Sequence, residues 1–283
     1  MSSPPVLLHC GAKTLDLSRP VVMGVLNVTP DSFSDGGRFL SVEAAVEQGV
    51  RMAAEGAALI DVGGESTRPG AEPVSVSEEL RRVLPVIERL SLASGAVISI
   101  DTSKPEVMRE AAAAGAGLIN DVRALREPGA LKAAAASGCA VCLVHMQGEP
   151  RTMQVAPHYS DVVTEVRAFL DARVAACREA GLSSSRLTVD PGFGFGKTVE
   201  HNLTLLRRLR ELAADGLPVL VGLSRKSMLG KLTQRAAGQR TGGSVALAVI
   251  AALNGARIIR AHDVAPTVDA LQVAVAVAVQ GGG

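Results

Sequence analysis

A single (β/α)8 barrel is the fold this chain predicts. Three observations carry it: short β-branched runs recur eight times, Ala- and Leu-rich stretches with helical spacing alternate with them, and the runs are apolar on both faces. Strands buried on both sides belong to a parallel sheet covered by helices. Eight such units favour closure into a barrel over an open sheet. The 283 residues, 47% of them hydrophobic, suit one barrel of this kind. One domain is expected over residues 1–283 with its core at about 18–278, and no linker or low-complexity tract divides it.

The elements follow in order. VLLHCGAKTLDL, from Val6, reads as a small hairpin that closes the N-terminal face of the barrel. The strand-like runs are VVMGVLNVT from Val21, ALIDVGG from Ala58, AVISIDT from Ala96 and GLINDV from Gly117. Four more are AVCLVHM from Ala140, LTVDPG from Leu187, PVLVGLS from Pro218 and ARIIRAHD from Ala256. Between them lie amphipathic stretches such as SVEAAVEQGVRMAAEGA, SEELRRVLPVIERL and VEHNLTLLRRLRELAA. KLTQRAAGQRTGGS, polar and glycine-bearing, reads as a surface connection.

Composition excludes several function classes. Lys plus Arg number 29 against 28 Asp plus Glu, so no bulk field favours nucleic acid or an acidic membrane. Aromatic residues make up only 2%, with no Trp, which argues against base-stacking platforms. The N-terminal residues lack a basic segment followed by a long apolar one, and no apolar run has the roughly 18 residues of a membrane span. A soluble, cytoplasmic protein is expected. Cys139 and Cys142 form a CxxC pair inside a strand-like run. Residues three apart on a strand point to opposite faces, so these are read as buried structural thiols and not as a redox or zinc pair.

Active sites of such barrels lie at the C-terminal ends of the strands. The runs end in Asn27, Asp61, Asp101, Asn120, His145, Asp190, Ser224 and the trio Arg260, His262 and Asp263. One capping Asp means little. Eight polar endings make a ring of donors and acceptors at one mouth. Arg260 and His262, two apart on a strand, share a face and suit an anion; an ion pair with a neighbouring acid is the alternative. Lys226 and Ser227 open a helix whose N–H groups can bind a carboxylate or phosphate, unless Ser227 merely caps it. Asp101, Asn120 and Asp190 join two carboxylates to an amide. Such acids need donors, which a flat heterocycle rich in N–H groups supplies, and an acid/base dyad is the competing reading.

Three loops are unusual. NVTPDSFSDGGRF, from Asn27, carries Asp31, Phe33 and Asp35, and GGESTRPGAEPVS, from Gly63, carries Thr67, Arg68 and Pro69. Long βα loops on this face are where lids and binding residues sit. The third, DPGFGFGKT from Asp190, resembles a phosphate-binding loop and misses it by one residue: Pro191 stands where a P-loop needs glycine. Lys197 likewise stands where the dinucleotide fingerprint needs its third glycine.

Taken in order, NVTPDSFSDGGRF, DVGGESTRPGA, SIDTSKPEV, IND, HMQGEPRTMQ, DPGFGFGKTVEHN, GLSRKSMLG and R-x-HDV resemble the motifs of the dihydropteroate synthases, from about Val21 to about Val264. Glu149, where a small polar residue is expected, and Ala261, where the family more often has Val, are the departures. The resemblance implies condensation of 6-hydroxymethyl-7,8-dihydropterin pyrophosphate with p-aminobenzoate, giving 7,8-dihydropteroate and pyrophosphate. It implies a pterin held by Asp101, Asn120, Asp190 and Lys226 beside Gly222, and a pyrophosphate among Asn27, Arg68, Arg260 and His262. Mg2+ would help neutralise the pyrophosphate, with Asn27 its direct protein ligand. The p-aminobenzoate, and sulfonamides that resemble it, would lie near Phe33, Thr67, Pro69, Phe195 and Ser227. Asp35, Arg68 and Lys226 are the residues assigned to catalysis. The family is commonly dimeric, and GGSVALAVIAALNGA is a candidate interface. Two rivals are a pterin-binding methyltransferase and a non-catalytic pterin-binding paralogue. The first would not need the TPDSFSDGG loop, and the second should have lost Phe33, Asp35 or Arg68.

Overall fold

The computed structural model describes residues 6–28, 37–65, 73–148, 153–212 and 216–280. Strands β1 (Leu7–Cys10) and β2 (Lys13–Asp16) pair antiparallel in a hairpin. Eight parallel strands then close a barrel: β3 (Val21–Asn27), β4 (Ala57–Gly63), β5 (Val97–Asp101), β6 (Leu118–Asp121), β7 (Ala140–Val144), β8 (Leu187–Asp190), β9 (Val219–Gly222) and β10 (Ala256–Ala261). Neighbours in the chain are neighbours in the barrel, and β10 closes it against β3, with Ile258 opposite Val21 and Arg260 opposite Met23.

Helices α1 (Gly37–Ala54), α2 (Val76–Ala93), α3 (Pro105–Ala113), α4 (Ala130–Ser137), α5 (Val162–Glu179) and α6 (Val199–Arg207) follow β3 to β8 in turn. The predicted helix from Val199 breaks after Arg207 into a 3-10 turn at Leu209–Leu212. After β9 come two helices, α7 (Ser227–Thr233) and α8 (Thr241–Leu253), and α9 (Val264–Gln280) follows β10. The ends of KLTQRAAGQRTGGS therefore belong to α7 and α8; its middle, residues 234–239, is exposed.

The period-two alternation of the strands sorts two cores. Outward residues such as Leu26, Ile60, Ile98, Ile119, Leu143 and Val221 pack under the helices. Inward residues Met23, Leu59, Val97, Leu118, Leu220 and Ile258 fill the lower barrel, and Leu8, Cys10 and Leu17 of the hairpin region pack against them. The hairpin plugs the N-terminal end as expected. Cys139 belongs to the outer core and Cys142 to the inner one, and both are free thiols.

Candidate active site

Higher in the barrel the inward positions turn polar. Asp61 of β4, Ser99 of β5, Asn120 of β6 and Arg260 of β10 stand on the same strand faces as the apolar residues beneath them. Asp61 is fully buried and gathers its neighbours: it accepts from Ser99 Oγ at 2.6 Å, Asn120 Nδ2 at 3.1 Å and Arg260 Nε at 2.6 Å. Arg260 spans upward, its Nη2 donating to Asp101 Oδ2 at 3.0 Å. A half-buried guanidinium between two carboxylates satisfies charges that would otherwise be costly to desolvate.

A cavity opens on this network, lined by Asp101, Asn120, Asp190, Gly222, Lys226 and Arg260, with Phe193 and Phe195 beside them. Asn120 Oδ1 is buried and accepts no hydrogen bond from any described residue. Asp190 Oδ1 accepts from the N–H of Gly192 at 2.7 Å. Gly192 turns the chain at φ +68°, and a Cβ there would meet the His145 carbonyl oxygen at 1.8 Å, so only glycine fits. Lys226 lays its Nζ over the Phe195 ring, 4.2 Å from the centroid.

Burial sets the charge states. It pushes the Asp101 carboxyl up to about 7, reinforced by Asp61 and opposed by Arg260. It raises Asp190 to about 6 against the Gly192 hydrogen bond and the nearby Lys226 and Lys197. Lys226 falls to about 8, through burial and Arg260, with Asp190 and Asp101 holding it up. Burial alone would also lower Arg260, yet Asp61 and Asp101 hold it above its ordinary value. Two acids and an amine thus titrate around neutrality in one cavity, a pattern typical of functional sites.

The sequence-predicted residues fall into three groups. Asp101, Asn120, Asp190, Gly222, Lys226, Phe195 and Arg260 line the one cavity. Asn27 ends β3 beside it, and the space left by Gly63 lies between Asn27 and Asp101: a Cβ there would be 3.7 Å from Asn27 Oδ1 and 3.9 Å from Asp101 Oδ2. His262 follows β10 and meets Ser224 Oγ through its Nδ1 at 3.0 Å. Ser227 is the first residue of α7, whose cap position is Lys226, so Ser227 is not that helix's cap. Asp263 of the expected trio pairs with Arg225, 2.6 Å away. Phe33, Asp35, Thr67, Arg68, Pro69 and Glu149 lie outside the described residues.

Known proteins resemble this chain. Residues 23–262 match the family described as pterin binding enzyme. The dihydropteroate synthase of Escherichia coli (strain K12) is 57% identical over 266 residues, 94% of each chain. The chain belongs to the dihydropteroate synthases.

Among solved structures of that family, the Xanthomonas albilineans enzyme with 4-aminobenzoic acid superposes with a TM-score of 0.92 at 56% identity, covering 97% of this chain and 99% of that one. The same organism's enzyme in complex with 7,8-dihydropteroate gives a TM-score of 0.88 at 54% identity, with 96% and 98% covered. Membership in the dihydropteroate synthases explains the order of the motifs, but three buried polar residues had no assigned role in the sequence reading. Asp61 is the hub of the inner network, and its signal was its place on the inward face two residues before Gly63. His145 and Lys197 meet at 2.9 Å across the turn after β8, a contact between segments 52 residues apart that no local pattern encodes.

Proposed function

We propose that this cavity condenses 6-hydroxymethyl-7,8-dihydropterin pyrophosphate with p-aminobenzoate and releases pyrophosphate, as a dihydropteroate synthase. The unsatisfied Asn120 oxygen in one cavity with the Asp101 and Asp190 carboxylates supports it best. Three acceptors converging in one narrow cavity call for a ligand rich in N–H donors, and the amino-pyrimidine edge of a pterin is one. In this reading Asp190 takes the paired donors of that edge, Asp101 and Asn120 take the remaining polar groups, and Lys226 donates to the ring beside Gly222. Arg260, His262, Asn27 and Arg68 receive the pyrophosphate. Phe33, Thr67, Pro69, Phe195 and Ser227 surround the p-aminobenzoate, and sulfonamides compete for the same place.

The reacting carbon is a methylene between an electron-rich dihydropterin and a good leaving group. Its C–O bond breaks first, both electrons passing to the pyrophosphate oxygen, and cations at the mouth stabilise that charge. The neutral arylamine then gives its lone pair to the carbon and loses a proton, so no strong base is required. Asp35 and Arg68 are assigned to shielding the cationic intermediate from water. Mg2+ would offset the charge of the pyrophosphate. Among the described residues no cluster of three or more His, Cys, Asp or Glu side chains could hold a metal ion. The Asn27 amide oxygen, facing the gap beside Gly63, still suits Mg2+, which keeps most of its shell from phosphate and water.

The protein is further proposed to be a cytoplasmic homodimer. Four buried free thiols suit a reducing compartment, and no helix among the described residues is long and apolar enough to cross a membrane. Ile250 and Leu253 of α8 and Val273 and Val277 of α9 are exposed apolar residues on two helices that pack together. Pyrophosphate release with and without p-aminobenzoate tests the chemistry. Release that depends on p-aminobenzoate supports the synthase, and pterin binding without release points to a non-catalytic barrel. Positional isotope exchange in the pyrophosphate without p-aminobenzoate tests the order of bond breaking. Val277→Glu, followed by light scattering, tests the dimer.

A further inference from the structure

The lysine of DPGFGFGKT is buried in the protein, although lysine is almost never buried without partners. Lys197 Nζ lies 3.0 Å from the Gly192 carbonyl oxygen, 3.0 Å from the Phe195 carbonyl oxygen and 2.9 Å from His145 Nδ1. Three acceptors match the three protons of an ammonium group, and His145 accepts only as a neutral ring protonated at Nε2. Burial and the adjacent Lys197 hold His145 far below its ordinary value, at about 2, which keeps that ring neutral. The two segments also meet through the backbone: the main-chain N–H of His145 donates to the Asp190 carbonyl at 2.9 Å. The turn between Asp190 and Phe195 is thus fastened to the end of β7 through one amine.

We propose that Lys197 is a positioning residue for the substrate site: its ammonium fixes the 192–195 turn, so that the Phe195 ring meets Lys226 and the Asp190 carboxylate keeps its charge in the cavity. This rests on the synthase reading above and adds a residue to it. The titratable groups facing Lys197 are Asp190, Lys226, His145, His201 and Tyr159, whose ring centroid lies 6.0 Å from its Nζ. Those facing Asp190 are Lys197, Lys226, Arg260 and the Cys142 thiol. Burial lowers Lys197 itself to about 7, so around the Asp190 value of about 6 it is still a cation, one of three that favour that carboxylate against burial. Without it the carboxyl holds its proton to higher pH, and the backbone carbonyls of Gly192 and Phe195 lose a shared donor.

The test is Lys197→Met, which keeps the length and removes charge and donors. kcat/KM falls by roughly 100-fold, the scale of a misplaced binding group. The KM for p-aminobenzoate rises, and the acid limb of the pH profile moves to higher pH. Lys197→Arg keeps the charge, so its acid limb stays with the wild type even where turnover drops. If Lys197→Met does not fold, His145→Leu carries the test: it removes one acceptor and leaves the cation, raising the KM for p-aminobenzoate without moving the acid limb. A Met variant with an unmoved acid limb overturns the proposal, even if its melting temperature falls. So does a His145→Leu variant with wild-type KM. Wild-type enzyme without turnover defeats the synthase reading itself, a separate outcome.

Discussion

The two ends of the barrel use the same eight strands for opposite purposes. At the N-terminal end the inward side chains are Met23, Leu59, Val97, Leu118, Leu220 and Ile258, capped by Leu8 and Leu17, and packing alone holds them. One or two positions further along the same strand faces stand Asp61, Asp101, Asn120 and Arg260, with Asp190 at the end of β8 beside them, held by ion pairs and hydrogen bonds. Dispersion and area burial do not care about pH, whereas buried charges do. The lower end can therefore lose stability without touching chemistry. The mouth loses chemistry at once, and loses stability only where a pair is broken.

The largest separation is expected at Asp190→Ala. A carboxylate that takes two N–H donors supplies about 1.5–3 kcal/mol per bond, so kcat/KM falls by roughly 10²–10⁴-fold. The melting temperature holds or rises, because burial already makes the charged Asp190 unfavourable. Activity within tenfold of wild type, in a pyrophosphate-release assay, would sink the pterin assignment.

Asp61→Asn breaks the comparison in the other direction. Arg260 keeps only Asp101, and removing one member of a buried ion pair costs about 3–5 kcal/mol. Denaturant unfolding measures this, and an unchanged midpoint would show that Asp61 is not the hub. At the opposite end, Leu17→Ala should cost about 2–5 kcal/mol in the same experiment while kcat and KM stay put. If Leu17→Ala altered KM as strongly as Asp61→Asn, the two ends would not be independent.

The same contrast sets how much could be read from the chain. The barrel was legible because strands buried on both faces and helices with one apolar stripe leave periodic marks. The polar mouth was legible because each marked run ended in a residue unlike those before it, from Asn27 to His262. The partnerships were not. Arg260 was expected to face an anion or an acid, and only the closed barrel shows it bound to Asp61 and Asp101, 199 and 159 residues away in the chain. Lys197 gave a false phosphate-loop signal because glycines and a lysine are also what a tight turn around a buried amine requires.

The smallest effect sharpens the comparison most, because activity and stability should move oppositely with pH. Pterin donors need Asp190 and Asp101 as carboxylates, whose values are about 6 and about 7, and Lys226 as an ammonium, about 8. The free enzyme's kcat/KM should therefore rise through the first two values and fall through the third, the fall beginning as Lys197 loses its proton at about 7. Stability follows the other sign. Folding raises Asp101 from 3.8, so the folded state holds that proton more tightly than the unfolded chain. That contribution is fully present below 3.8 and is lost as pH climbs through about 7, the interval in which the site becomes active. Asp190 behaves alike up to about 6. His145, held at about 2, works the other way up to its ordinary 6.5. Melting temperatures read beside the kcat/KM profile should therefore decline with rising pH only by what Asp101 and Asp190 together lose beyond that gain. In Asp101→Asn the decline should shrink, since the amide has no proton to lose. A decline of wild-type size in that variant would place its origin outside the mouth of the barrel.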